Sequence, residues 1–132
     1  MKLVTLGELP CDRSSAVSDS VATFLRAAHS LLVSSGWRCE RKAIRSAMYN
    51  WDYTRSGHTL VLCGWHGTGK PGTCRWFGDT KTFFGLHHHE PGAKACAAQK
   101  VDLDILQEGT PDEIVATQAA AIAQANAYLA KL

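Results

Sequence analysis

The feature that most constrains this chain is a change in its hydrophobic period. From Tyr49 to His89 large residues recur at every second position, as where Tyr49, Trp51 and Tyr53 alternate with Asn50 and Asp52. A period of two puts successive side chains on opposite faces of an extended strand, a spacing no helix can use. On either side the period lengthens. Val17, Val21, Phe24, Leu25, Ala28, Leu31 and Leu32 share one stripe of a helix expected over residues 14–35, with Gly36 placed to cap its end. Near the other end, Thr110-Pro111-Asp112-Glu113 supplies an N-cap, a proline at the first helical position and an acid that closes a capping box. Val115, Ala119, Ile122, Ala125, Leu129 and Leu132 then form one expected face.

Glycine-containing turns divide the middle. Arg55-Ser56-Gly57 is turn chemistry, residues 58–65 form a strongly apolar strand, and 66–72 (HGTGKPG) form a loop. A strand over 73–77, a tight turn at Gly78-Asp79 and a strand over 80–89 follow. Residues 90–100 read as irregular or a short helix, 101–106 as an edge strand, and 2–6 as a short strand. In residues 38–48, Cys39, Ala43, Ile44, Ala47 and Met48 fall at helical spacing opposite Arg38, Arg41, Lys42 and Arg45, which predicts a short basic amphipathic helix. The expected fold is therefore α+β: an antiparallel four- to five-stranded meander with N- and C-terminal helices packed on one face. At 132 residues it reads as a single domain over 1–132.

Composition sharpens the functional reading. Residues 37–94 hold nine basic against four acidic residues, while the flanks hold five against eight, although the whole chain is only +2. The same block carries nine of the eleven aromatic residues and five of the six histidines. Such asymmetry bears on partners rather than fold. No apolar run is long enough to span a membrane, and the first ten residues are too short for a signal-peptide core, so a cytoplasmic protein with no membrane partner is expected. Five cysteines, an odd number, suit free thiols or a metal better than a disulfide framework.

Four constellations carry chemistry. Gly64 to Lys70 satisfies G-x-x-x-x-G-K, but Pro71 stands where a phosphate-binding loop needs Ser or Thr, so a glycine-rich hairpin loop is expected. Cys63, His66, Cys74 and His87 would converge into a tetrahedral zinc site if the two hairpins fold symmetrically. The same thiols and imidazoles give the alternative of a zinc- or thiol-dependent small enzyme of nuclease type. Neither set is a complete catalytic signature, so no catalytic residue is assigned and binding ranks above catalysis; no cofactor is expected beyond zinc.

The fourth constellation is a nucleic-acid or partner-binding set: Arg38, Arg41, Lys42, Arg45, Trp51, Arg55, Lys70, Arg75 and Trp76. Cations hold phosphates while rings stack on bases. For Trp51 a place in the core is the stronger reading, since half of a meander's large residues must point inward. The expected function is a small non-enzymatic binding domain that contacts nucleic acid or a nucleoprotein through its basic, aromatic sheet. A protein-binding inhibitor or adaptor is the third reading.

Overall fold

The computed structural model describes residues 3–5, 16–45, 48–65, 81–93, 99–106 and 109–132. Strands β1 (Leu3–Thr5) and β2 (Ala16–Ser18) form a small antiparallel pair and lead into α1 (Asp19–Ser34). Five strands follow: β3 (Arg38–Arg45), β4 (Met48–Arg55), β5 (His58–Trp65), β6 (Lys81–His89) and β7 (Gln99–Leu106). They lie side by side in chain order, every pair antiparallel, and α2 (Pro111–Leu129) completes an α+β fold.

Register explains how the core is built. Trp51 pairs with Leu62, Leu62 with Leu86 and Leu86 with Val101; beside that row Tyr53 pairs with Leu60, Leu60 with His88 and His88 with Gln99. Directly paired residues share a face, and this face lies under both helices. Ala22, Phe24, Leu25, Ala28 and Leu32 of α1 and Ala121, Ala125 and Leu129 of α2 join it in one buried cluster, with the Phe24 and Phe84 ring centroids 5.0 Å apart.

The turns follow from local chemistry. Arg55 pairs with His58 across a two-residue turn whose Ser56 and Gly57 both have positive φ, 50° and 82°. That geometry matches the right-handed twist of the flanking strands. Helix α1 ends at Gly36 (φ 88°), with Gly36 N–H on Val33 O and Trp37 N–H on Leu32 O, and this turn delivers Trp37 into the core. At the other helix, Thr110 Oγ1 accepts from Glu113 N–H while Glu113 Oε1 accepts from Thr110 N–H.

Helix α1 starts at Asp19 rather than near residue 14, and Val17, expected on its stripe, pairs with Val4 in the β1–β2 ribbon. Two further expectations are corrected. Residues 38–45 form a strand paired with β4, not a basic helix, and a bulge between Cys39 and Arg41 interrupts the alternation that would have announced it. Across it, Cys39 stands opposite Tyr53, Lys42 opposite Trp51 and Ile44 opposite Tyr49, so the core-side register runs through positions 39, 42 and 44, and its first interval of three imitates helical spacing. Second, α2 is rotated from its expected face: Val115 is 66% exposed, and Ala119 and Leu132 are exposed as well. Polar residues take the inward flank instead, since Thr117 Oγ1 accepts from Leu106 N–H and Gln118 donates to Ser20 O. The strand and turn expected over 73–79 and the loop over 66–72 lie outside the described residues.

Candidate functional site: the open sheet face and its basic edge

No described element packs on the sheet face opposite the helices. Its central rows are Asp52–Val61–His87–Lys100 and Asn50–Cys63–Gly85–Asp102. Edge strand β3 borders it. Register pairs Arg38 with Thr54, Arg41 with Asp52 and Arg45 with Met48, the β4 positions that alternate away from buried Trp51 and Tyr53. Lys42 instead pairs with Trp51, in a core row. The bulge that hides the strand in the sequence thus keeps Arg38 and Arg41 in step. Arg38 is exposed and lies 3.2 Å from Glu40, which also accepts from Thr54 Oγ1 at 3.0 Å. An exposed pair of this kind is worth little.

Other members of the sequence-derived set have different placements. Trp51 is 2% exposed and belongs to the core, the placement favoured for it above. Arg55 caps α1: Nη1 donates to Ser35 O at 2.8 Å, and the guanidinium lies 4.7 Å from the centre of the Trp37 ring. Lys70, Arg75 and Trp76 lie outside the described residues.

Of the zinc-type set, Cys63 and His87 occupy neighbouring rows of the open face, while His66 and Cys74 lie outside the described residues. The His87 ring folds back over Gly85, the residue opposite Cys63: a β-carbon at Gly85 would come within 3.1 Å of His87 Nε2. Lys100, ion-paired with Asp102 at 3.2 Å, reaches the same spot. Burial pushes the Cys63 thiol up, and Lys100 only partly offsets this, so the group is a thiol at neutral pH rather than an activated thiolate. Burial, then Lys100 and His89, push His87 down against a smaller pull from Asp102. Among the described residues no three His, Cys, Asp or Glu side chains gather as a metal would require.

One polar cluster was missed by sequence reasoning. His88 is 2% exposed, on the core face. Its Nε2 lies 2.9 Å from His58 Nδ1, its Nδ1 lies 2.8 Å from Tyr128 Oη, and Tyr128 donates to Gln99 Oε1 at 2.8 Å. Direction follows from the last link. The phenol oxygen donates to Gln99 and so accepts from His88 Nδ1–H, which leaves His88 Nε2 bare to accept from His58 Nδ1–H. Alternation does separate His88 from His87 and His89, but its partners stand 30 and 40 residues away in the chain. Only the closed sheet and the docked helix bring them together.

No protein-family model, no curated protein and no solved structure matches this chain.

Proposed function

We propose that the chain is a small binding domain for nucleic acid, held through the phosphate backbone by the arginines of β3 and the open sheet face beside them. The register of β3 carries this reading. Arg38, Arg41 and Arg45 pair with three β4 positions of one alternation, which extend over about 20 Å of strand at ~3.4 Å per residue. Lys70, Arg75 and Trp76 of the basic, aromatic middle enlarge the set, whereas Lys42 falls on the other alternation of β3. Burial of Trp51 and the capping role of Arg55 remove both from it and shift the weight from base stacking to charge.

The test is salt dependence. Three phosphate contacts to a single strand give a slope near −2 in log K against log salt, or about 20-fold weaker binding between 50 and 200 mM. Fluorescence anisotropy with a labelled single-stranded oligonucleotide should show that fall, and the triple variant Arg38→Gln, Arg41→Gln, Arg45→Gln should flatten it. Absence of binding at 50 mM salt, or a slope unchanged in the triple variant, refutes the reading. A partner retained from lysate after nuclease treatment points instead to protein recognition.

A further inference from the structure

The chain His58–His88–Tyr128–Gln99 joins β5, β6, α2 and β7 through one buried ring, and it is saturated only in a particular protonation state. With both imidazoles neutral, every link has one donor and one acceptor. A single added proton can sit on His58 Nε2, outside the chain of bonds, and His58 Nδ1 still donates. A second proton must go to His88 Nε2. Two N–H groups then face each other across 2.9 Å, on two cations, one of them within a ring 2% exposed.

We propose that the His58–His88 pair is an acid-sensitive latch on the C-terminal turn of α2, closed while at most one ring is charged and opened by the second proton. Through Tyr128 the closed latch holds that turn against β5–β7. Lifting the turn is the route by which water reaches a charged His88.

The groups facing His88 fit this arrangement. On β5 stands His58; β6 and the turn after it bring His89 and Glu90; β7 brings neutral Gln99; α2 brings Tyr128. Burial, then His58, hold His88 below the usual histidine range, with His89 adding to this and Glu90 opposing it. Burial and Glu90 both keep the Tyr128 phenol protonated, so that link survives acidification.

The experiment is amide hydrogen exchange by NMR on the full chain from about pH 7.5 to about pH 5, corrected for intrinsic rates. Protection across Asn126–Ala130 should fall at least about tenfold relative to mid-helix residues 119–122 in the native sequence. His88→Gln cannot be charged and should remove the effect. His58→Gln should also remove it, because an amide can turn its oxygen to accept from a charged His88. The second variant separates a latch from the plain cost of a buried cation, which would persist in it, and keeps the proposal testable if His88→Gln does not fold. Unchanged protection in the native chain, loosening confined to the β4–β5 turn, or a full acid response in His58→Gln would each overturn the proposal.

Discussion

Arg55 separates what builds this molecule from what works in it. Its guanidinium donates to the Ser35 carbonyl just past α1 and covers the Trp37 ring. A hydrogen bond from a charged donor is worth about 1.5–3 kcal/mol, less where water competes for the half-buried group. A cation over a ring at a partly exposed site adds ~0.5–1 kcal/mol. The two share one guanidinium and do not add fully, so Arg55→Ala should cost about 2 kcal/mol. Arg55→Lys keeps the charge but loses the planar fork, and should cost about half of that. For a chain of this size, 2 kcal/mol lowers Tm by roughly 6–10 °C. Urea unfolding followed by circular dichroism measures the loss. Oligonucleotide affinity, measured below the transition, should stay within about twofold of native. If Arg55→Ala unfolds within 0.5 kcal/mol of the native chain, or if it weakens binding as much as the β3 arginines do, the assignment of this side chain to the scaffold is wrong.

Two further outcomes bear on stability. His87 and His88 both bind protons less readily folded than unfolded, so the unfolded chain takes up more protons once pH drops below the unperturbed histidine value near 6.5. The urea midpoint should therefore fall as pH drops from 7 to 5, less steeply in His88→Gln, and a midpoint that holds steady or rises contradicts this. Thr110→Ala removes one half of the capping box and orphans a helix donor, which should cost about 1 kcal/mol in the same assay.

Periodicity made most of the fold legible. Residues 58–65 were bounded correctly because Ser56-Gly57 and the apolar run agree, and α2 was announced by Thr110-Pro111 before any packing was considered. Residues 38–45 were misread because a bulge is a tertiary decision: one extra residue on β3 is tolerated only because β4 is there to be paired, and propensity carries no trace of it. Helix α2 was turned from its expected face by Thr117 and Gln118, whose partners Leu106 and Ser20 belong to other elements. The site was legible in part. The basic block and the inward place of Trp51 could be read from charge and alternation. The task of Arg55 could not, since it depends on where α1 ends, and neither could the partners of His88.

The order of the strands has a consequence for how the molecule comes together. Each of β4 to β7 is hydrogen-bonded to the strand before it in the chain, so the sheet can zip outward from a single hairpin without closing a large loop. The β4–β5 ribbon, joined by two residues already in their turn conformation, is the natural seed. Docking of α1 is the distant event: Phe24 reaches Phe84 on β6 and Gln118 of α2 reaches Ser20, 98 residues away, which marks it as the closing step. Assembly of this kind is paced by local contacts and should run in the faster range for sheet-containing domains, with the two helices sealing a ribbon stack that is already in place.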